Sequence, residues 1–430
     1  MGSKAEKGTK KQVVVAGSAP ALKRIRHLLL PMVSGMAAAK QDLMEWVQEV
    51  GLAALEEVFE SDAEALTGPK GKHRTERTHH RWGSTGTQLP FGGRRIRVSR
   101  PRVRSRSGQE ATLPSVRRFR EEDPLPERVL NQVLLGVSMR GYGASLEALP
   151  PGVTGRGTSK SAASRQLVKR MGGKMKQYLS RSLEEIKLLA LMLDGIEVGG
   201  HTVVVALGIT EDGTKTPLGL WQGSTENATV CTSLLQDLIR RGLRIEGRLL
   251  CVIDGGKGIR KAIDDVFGNS AVVQRCQLHK RRNLKGHLPK SRQTHVDRIL
   301  REAYSSTTAE TARKRLRSLI LWLEGNGHED AAASLREGME ETLTVLKLEL
   351  PPSLRRALAT TNAIENTLGT VRRVSRNVKR WKDGSMARRW TAAGLLTAQK
   401  RFRRIKGYRD MPILKKALRG DDVDLTEKVA

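Results

Sequence analysis

Aromatic residues, cysteines and long apolar runs are all scarce in this chain of 430 residues. Aromatic residues make up only 3% of it, which argues against a single-strand binder that stacks bases on aromatic platforms. The three cysteines, Cys231, Cys251 and Cys276, lack paired spacing and an even count, so the sequence indicates a reducing cytosol rather than a disulfide framework. No run of about 18 apolar residues occurs, so we expect no segment to span a bilayer.

Acidic residues are also few, with 45 Asp and Glu against 77 Lys and Arg and a formal net charge of +32. A surface this basic binds polyanions without sequence preference, which indicates a nucleic acid, with the membrane surface as the competing anion. The length allows a sizeable core and division into two to four units.

The N-terminal part divides into an expected disordered basic tail, residues 1–20, and a helical and basic region that contacts DNA, residues 21–120. Apolar residues at helical spacing predict a helix from about Asp42 to Leu66. The PFGGRRIRVSRPRVR segment that follows predicts a short exposed strand interrupted at Pro101. Its basic stretch is interpreted either as a solvated linker or as a contact to the DNA backbone.

Residues 121–187 are expected to form a helix-turn-helix-like DNA-binding domain. Apolar residues from Val129 to Val137 repeat at helical spacing, PPGVTGRG breaks the chain, and TSKSAASRQLVKRM restarts a helix. A basic helix after a turn suits the major groove, although a mere connector is the alternative for residues 159–171. The candidate DNA-binding residues on this helix are Lys160, Arg165, Lys169 and Arg170.

The rest of the chain predicts an α/β fold. Residues 188–283 contain five strand-like segments and two amphipathic helices, which implies a mixed sheet covered by helices. Residues 284–355 are helical throughout, a helix carrying Glu365 follows within residues 356–408, and residues 409–430 form a tail.

Two aspartates follow the two most apolar segments, Asp194 in LALMLDG and Asp254 in LLCVIDGG. An Asp-Gly pair after a strand often marks only a turn. However, strands this apolar are expected to be neighbours at the sheet centre, with both side chains at one edge, where α/β sheets bind ligands. Two buried like charges repel each other, and a divalent cation removes that repulsion.

Glu365 in TTNAIENTL is the third candidate acid. One interpretation is a capping box, in which Glu365 bonds the backbone of Asn362. The other is a metal ligand at the start of a helix whose basic residues hold phosphates. A helix here places an apolar stripe beside a polar face, formed respectively by Ile364, Leu368, Val371 and Val378, and by Glu365, Arg372, Arg376 and Lys379.

The three carboxylates favour a hard cation, because Mg²⁺ prefers oxygen ligands and two such ions can catalyse phosphodiester displacement. Cys276-x-x-His279 offers two softer ligands, but a zinc site would need Cys231 or Cys251 as well. We therefore expect Cys276 to be a buried strand residue and His279 to lie near the catalytic edge. The Gly-x4-Gly-Lys motif of a phosphate-binding loop is absent, so ATP binding is not expected.

The motifs LDG, VIDGG, CQLHKRRN and TNAIENTLGTVRR, in this order, resemble the Mutator-like family of bacterial insertion-sequence DDE transposases. The resemblance covers about Leu191 to Arg376. It implies a ribonuclease-H-like catalytic domain in two parts, residues 188–283 and 356–408, separated by a helical insertion domain over residues 284–355. In this domain Asp194, Asp254 and Glu365 would be the catalytic triad and bind Mg²⁺ (or Mn²⁺). It also implies terminal inverted repeats as substrate.

The function expected from the residues and the resemblance together is a DNA transposase that cuts element ends and joins them to target DNA. The partners would be double-stranded DNA and a second copy of the chain, in at least a homodimer, in the bacterial cytoplasm near the nucleoid. The alternatives are a structure-selective nuclease or a non-catalytic DNA-binding regulator. Basic residues expected to follow DNA phosphates near the acids are Lys280, Arg281, Arg282, Arg372, Arg373, Arg376, Lys379 and Arg380.

Overall fold

The computed structural model of the protein describes residues 43–72, 77–223 and 227–419. The chain forms two compact units, which divide within a long helix at residue 167, residues 134–136 belonging to the second unit. The tail expected over residues 1–20 lies outside the described residues, as do residues 420–430.

The N-terminal unit combines helices with a small antiparallel sheet. Its elements are α1 (Leu43–Thr67), β1 (His79–Phe91), β2 (Arg94–Ser105), β3 (Glu110–Ala111), α2 (Pro114–Glu121), α3 (Leu125–Leu134), a 3-10 turn (Gly143–Ser145), β4 (Gly155–Arg156) and the start of α4 (Lys160–Ser180). Strand β1 pairs with β2, and the far edge of β2 pairs with β4 near one end and β3 near the other. The unit therefore combines helices with four strands, whereas the sequence predicted a helical and basic region with one short strand.

Strand β2 corrects the expectation of a short exposed strand interrupted at Pro101. The strand runs unbroken for 12 residues. Its apolar side chains, Ile96, Val98 and Val103, are buried against Phe59 of α1 and the start of α2. Pro101 has no N–H to donate, and it lies between the segments of β2 that pair with β4 and β3, beside a register shift in β1.

The arginines of β1 and β2 are partly neutralised within the unit, so this stretch is not a linker. Glu110 on β3 accepts hydrogen bonds from Arg100 at 3.1 Å and from Arg102 at 2.9 Å, and these bonds, those of Arg102 first, lower the pKa of Glu110. Arg95 pairs with Asp123. Folding thus converts part of the basic stretch into ion pairs that hold the strands of the sheet together.

Helix α4 contains the basic residues expected to read DNA, and Lys160, Arg165, Lys169 and Arg170 are all exposed on it. The helix is longer than predicted and continues to Ser180. Residues 135–159 separate it from α3, so the short turn of a helix-turn-helix motif does not join the two helices. Helix α3 ends at Leu134. The apolar repeat in the sequence had predicted a helix as far as Val137.

The second unit contains a five-stranded mixed sheet and the remaining helices. Its strands are β5 (Leu188–Val198), β6 (His201–Thr210), β7 (Lys215–Gly223), β8 (Leu249–Ile253) and β9 (Ala271–Arg275). Its helices are α5 (Ala228–Arg240), α6 (Lys257–Phe267), α7 (Gln277–Gly286), α8 (Lys290–Tyr304), α9 (Ala309–Gly325), α10 (Glu329–Arg336), α11 (Thr344–Lys347), α12 (Pro352–Leu358), α13 (Asn362–Ser375), α14 (Gly384–Gln399) and α15 (Met411–Arg419), with 3-10 turns at Gly268–Ser270, Glu340–Leu343 and Tyr408–Asp410.

The strand order is β7-β6-β5-β8-β9, antiparallel from β7 to β5 and parallel from β5 to β9. All five strands and both intervening helices agree with the prediction. Helices α5 and α6 cover one face of the sheet, and α13, α14 and α15 pack on the other. The central strand β5 is buried on both faces, which explains its nearly continuous apolar sequence.

The residues between α7 and α13 are helical throughout and have their own apolar core, built around side chains such as Leu300, Leu316 and Leu335. This insertion is fastened to the edge strand β9. Gln274 donates to the Thr342 carbonyl at 3.0 Å and accepts the Val345 N–H at 2.9 Å. The buried amide therefore satisfies backbone groups on the insertion and fixes where the chain returns to the sheet.

The C-terminal part is more helical than expected. Residues 409–430 were predicted to be a tail, but within the described part α15 buries Met411, Leu414 and Leu418 in the core. Their spacing gives the helix a single apolar face, which the basic residues around it obscure in the sequence. Trp390 is also buried.

Gly394 allows α14 to pack directly on α13, the helix that carries Glu365. A Cβ atom at Gly394 would lie 2.7 Å from Cα of Val371, which is backbone and cannot rotate away. We expect Gly394→Ala to lower the free energy of unfolding by about 1–3 kcal/mol, measured by urea unfolding. Gly369→Ala on α13 is the matched control: nothing lies within 4 Å of its Cβ position, so it should be neutral or stabilise. An equally stable Gly394→Ala protein would contradict this packing.

Candidate active site

Asp194 and Asp254 lie side by side at the centre of the sheet. The last parallel pair of β5 and β8 is Met192 with Val252, and the two aspartates each follow two residues later. The predicted neighbourhood of the two strands is therefore confirmed. One detail was wrong: Asp194 does not end its strand, because β5 continues to Val198 in antiparallel pairing with β6.

Both aspartates face the layer that contains α13. Residues alternate across a strand, and Ala190 and Met192 of β5, like Leu250 and Val252 of β8, belong to the core beneath α13 and α14. Asp194 is two residues beyond Met192 and Asp254 two beyond Val252, so the same alternation directs them toward this layer.

Asp254 is both a turn residue and a lining residue of the cleft. Strand β8 ends at Ile253, and Gly255 follows with a φ of +106°, a conformation that favours glycine. The Gly256 N–H donates to Oδ1 of Asp254 at 2.8 Å, and α6 begins at Lys257. The turn hydrogen bond is made by Oδ1, one of the two carboxylate oxygens of Asp254. The turn interpretation and the ligand interpretation of this Asp-Gly pair are therefore compatible.

Glu365 lies in the first turns of α13 but does not form the predicted capping box. The N-cap residue is Thr361, and Asn362 is already helical. The hydroxyl of Thr361 donates to Oε1 of Glu365 at 2.8 Å. Ile364, Leu368 and Val371 are buried as predicted, so α13 is anchored and Glu365 projects from its adjoining face.

The three acids line one cleft of about 340 Å³, together with Gly195, His279, Asn366 and Arg372. Burial and the charge of Asp254 raise the pKa of Asp194 to about 6, and Glu365 adds to this effect, while the Gly195 backbone and His279 oppose it. The cleft therefore concentrates negative charge that its own cations only partly compensate.

Cys276 and His279 lie at the edge of the same cleft. Cys276 is the N-cap of α7, and its Sγ accepts hydrogen bonds from the His279 N–H at 3.5 Å, the Thr361 N–H at 3.4 Å and the Thr361 hydroxyl at 3.3 Å. Burial opposes the thiolate, but a hydrogen bond with the His279 side chain, together with the bonds from Thr361 and the two backbone N–H groups, outweighs burial and lowers the pKa of Cys276. A side-chain hydrogen bond with Cys276 raises the pKa of His279, and the nearby carboxylates add to the rise.

Cys276 is buried and His279 lies near the acids, as predicted. The prediction that Cys276 is a strand residue was wrong, because β9 ends at Arg275 and Cys276 caps α7. Cys231 and Cys251, the partners considered for a zinc site, are buried in the core on the opposite face of the sheet. They cannot join Cys276 without breaking the fold.

Two of the predicted phosphate-binding residues reach the acids. Arg372 lines the cleft, and Nη1 of Arg282 lies 3.8 Å from Oε2 of Glu365. Three others, Arg376, Lys379 and Arg380, are exposed but follow the end of α13 at Ser375, so they do not continue the predicted helical face. Arg373 is exposed on the last turn of α13.

Lys280 and Arg281 have structural roles instead. Lys280 is 5% exposed, and its Nζ donates to the carbonyls of Ser334 and Glu337, both at 2.7 Å. Arg281 forms two parallel hydrogen bonds of 2.9 Å to the buried carboxylate of Asp297. Both side chains attach α7 to the insertion, so neither is available to a phosphate in this structure, contrary to the prediction.

Thr361 and Asn366 were not predicted from the sequence. Thr361 contacts Cys276, His279 and Glu365, and Asn366 lines the cleft. Thr361 and Asn366 flank Glu365 within TTNAIENTL, which was the available signal. The role of Thr361 follows from a long-range contact, because α7 and α13 lie some 80 residues apart in the chain and Thr361 contacts Cys276 at the start of α7. The Gln277 N–H, bonded to the Ala359 carbonyl at 3.0 Å, holds the two segments together.

Among the described helices, none combines the length and apolar character required to cross a membrane. A family model described as "Transposase, Mutator family" matches residues 26–404. The chain is 29% identical over 352 residues to the transposase for insertion sequence element ISRM5 of Rhizobium meliloti (strain 1021), covering 78% of this chain and 84% of that relative.

Two further relatives extend the comparison. The transposase for insertion sequence element IS256 in transposon Tn4001 of Staphylococcus aureus is 27% identical over 302 residues, which cover 68% of this chain and 75% of that protein. A probable insertion-sequence transposase of Corynebacterium diphtheriae is 31% identical over 208 residues, which cover 46% of this chain and 59% of that protein. That second match spans less than two thirds of the relative's length.

Proposed function

Because this chain belongs to the Mutator family of transposases, we propose that it is a DDE-type DNA transposase that hydrolyses phosphodiester bonds at element ends and joins the freed 3′-OH to target DNA. The observation that carries this proposal is the meeting of Asp194, Asp254 and Glu365 in one cleft. These residues are separated by up to 171 positions in the chain, from 194 to 365. Packing of the apolar core does not require three acids at this place.

The sheet supports a ribonuclease-H-like catalytic domain. Three antiparallel strands are followed by two parallel ones, the longest strand is central, and helices cover both faces. The catalytic acids then come from the central strand β5, its parallel neighbour β8 and the helix α13, with the helical insertion between the second acid and the third.

The donor set of the cleft fits Mg²⁺ or Mn²⁺. Three carboxylates provide the hard oxygen ligands that Mg²⁺ prefers, and the raised pKa of Asp194 reflects a repulsion that a divalent cation would relieve. Asp194, Asp254 and Glu365 would hold the cation. When bound, it would activate the attacking oxygen and stabilise the leaving oxygen in phosphodiester displacement.

The protein groups around the acids would bind and orient the DNA strand. Arg372 and Arg282 lie where they could bind the phosphates flanking the reacting one, since guanidinium groups suit phosphate oxygens. Thr361 holds Oε1 of Glu365 through its hydroxyl. Arg373, Arg376, Lys379 and Arg380 would extend the phosphate-binding surface away from the cleft.

Helix α4 would bind the terminal inverted repeats of the element. Its exposed Lys160, Arg165, Lys169 and Arg170 are the proposed contacts. Bringing two ends together requires at least two copies of the chain, so we propose a dimer or a larger assembly on double-stranded DNA, acting at the bacterial nucleoid.

A cut-and-join assay tests the proposed function. Full-length protein is incubated with Mg²⁺, a labelled duplex carrying the element's inverted repeat, and a supercoiled target plasmid. We expect both nicked ends and labelled plasmid, since one cleft would perform hydrolysis and transesterification. Cutting without any labelled plasmid would favour a structure-selective nuclease, and binding without cutting would favour a non-catalytic regulator.

A further inference from the structure

A second group of metal-binding atoms adjoins the three acids. The ligand atoms of Cys276, His279 and Glu365 all lie within 4.8 Å of one another. Glu365 belongs to both groups, since it also lines the cleft with Asp194 and Asp254. Glu365 therefore lies between two groups of possible metal ligands. One consists of the carboxylate oxygens of the aspartates, and the other contains the sulfur of Cys276 and a ring nitrogen of His279.

The second neighbourhood has the chemistry of a softer ion. Thiolate and imidazole ligands favour Zn²⁺ over Mg²⁺, and three protein ligands with one open position are typical of zinc sites that also bind water or substrate. The sequence left Cys276-x-x-His279 without a third ligand. In the structure Glu365 provides it, instead of either of the two cysteines on the other face of the sheet.

The three ligands are held by a rigid frame. The Cys276 N–H donates to the Ile253 carbonyl at 2.7 Å, which fixes the start of α7 at the end of β8. Thr361 then holds two of the ligands, because its hydroxyl contacts Sγ of Cys276 at 3.3 Å and Oε1 of Glu365 at 2.8 Å. A frame of this kind reduces the ordering that an ion would otherwise impose on its ligands.

We propose that Cys276, His279 and Glu365 form a binding site for Zn²⁺ or a similarly soft divalent cation, and that its occupation withdraws Glu365 from the two aspartates. Binding at this site does not depend on the proposed function. Its consequence does: a protein loaded with zinc would cut DNA poorly even with Mg²⁺ present, because a Glu365 side chain drawn toward the zinc would no longer complete the site formed with the two aspartates.

Cobalt provides a direct probe, because Co²⁺ bound to a thiolate gives a charge-transfer absorption that oxygen ligands alone do not. Metal-free full-length protein is titrated with Co²⁺ without DNA, and then with Zn²⁺. We expect a thiolate-to-cobalt band that saturates at one equivalent and disappears as Zn²⁺ displaces the cobalt. Its absence from the wild-type protein at saturating Co²⁺ overturns the proposal.

Matched variants locate the site. Cys276→Ala should lose the band, whereas Cys251→Ala, which removes an equally buried thiol on the other face, should retain it. His279→Ala should bind Co²⁺ about tenfold more weakly or worse, and it decides the question if circular dichroism shows that Cys276→Ala is unfolded. A band of wild-type strength and affinity in a folded Cys276→Ala protein, or in His279→Ala, overturns the proposal.

One further variant separates this inference from the proposed function. Asp194→Asn should keep the full cobalt band although it cannot cut DNA, because Asp194 is not among the three ligands. A failure of the wild type to cut any DNA would refute the proposed function and leave the band unaffected. If the wild type cuts, Zn²⁺ should inhibit it at the concentrations that displace cobalt, and undiminished cutting there would refute the competition for Glu365.

Discussion

Asp194→Asn, Asp254→Asn and Glu365→Gln are each expected to reduce DNA cutting and joining a thousandfold or more, which is about 4 kcal/mol of lost transition-state stabilisation. Each exchange keeps the size of the side chain and removes one charged oxygen ligand from the cleft. DNA binding should remain near the wild-type level, because the surface stays basic, with a net charge of +32 before the exchange. Cutting is followed on a labelled inverted-repeat duplex, and binding by a gel-shift titration.

The controls are the same exchanges made outside the cleft. Asp265→Asn changes an exposed residue of α6, and Glu302→Gln changes a residue of the insertion whose side chain is 48% exposed. Both should cut DNA at close to the wild-type rate. Cutting at the wild-type rate by any one of the three cleft variants would remove that residue from the proposed catalytic set, and loss of DNA binding together with cutting would indicate misfolding.

The five-stranded sheet was largely predictable because its strands are unusually apolar. Strand β5 is buried on both faces, so its sequence is apolar nearly throughout and distinct from the amphipathic helices around it. Two apolar strands that each lead to Asp-Gly then identified Asp194 and Asp254 as neighbours. The continuation of β5 beyond Asp194 was not predictable from the Asp-Gly signal, since it depends on the long antiparallel pairing with β6.

The N-terminal unit was harder to predict because arginine is a poor guide to exposure. Arg100 and Arg102 look like solvated residues in the sequence, but each pairs with Glu110 across the sheet. Only the pairing of β2 with β3 brings that acid to them. Lys280 illustrates the same difficulty: its aliphatic stem is buried and its ammonium group binds two carbonyls of the insertion, 54 and 57 residues further along the chain.

The candidate site was predictable as a set of acids but not as a network. Asp194, Asp254 and Glu365 each have a local sequence signal, so their types and approximate positions could be inferred. The link from Glu365 to the end of β8, next to Asp254, runs through Thr361 and Cys276, whose contacts span 85 residues of sequence. No periodicity or spacing contains that information, because it arises when the insertion returns the chain to the sheet.

Removing divalent cations is expected to abolish cutting, and adding Mg²⁺ or Mn²⁺ should restore it. The cations should also stabilise the protein itself, because a ligand that binds the native state and not the unfolded chain raises the free energy of unfolding. Scanning calorimetry of metal-free protein with and without Mg²⁺ measures this effect without DNA. A melting temperature that does not respond to Mg²⁺ or Mn²⁺ at any concentration that supports cutting would contradict binding in the cleft.

The raised pKa of Asp194 makes the same test more specific. Its carboxyl group titrates at about 6 in the folded protein against an ordinary value of 3.8, so ionising it opposes folding, by about 3 kcal/mol for a difference of about 2 pKa units. The carboxyl group makes its full contribution to the free energy of unfolding below its ordinary pKa, and this contribution is lost as the pH rises through about 6.

Without metal, Asp194→Asn should therefore be more stable than wild type above about pH 7, and this advantage should vanish below about pH 4. With Mg²⁺ the difference in the free energy of unfolding between Asp194→Asn and the wild type should shrink or change sign, because only the wild type is stabilised by the cation. A variant that is inactive yet more stable without metal is the result expected of a ligand, whereas an acid that merely supports the fold would lose stability when replaced.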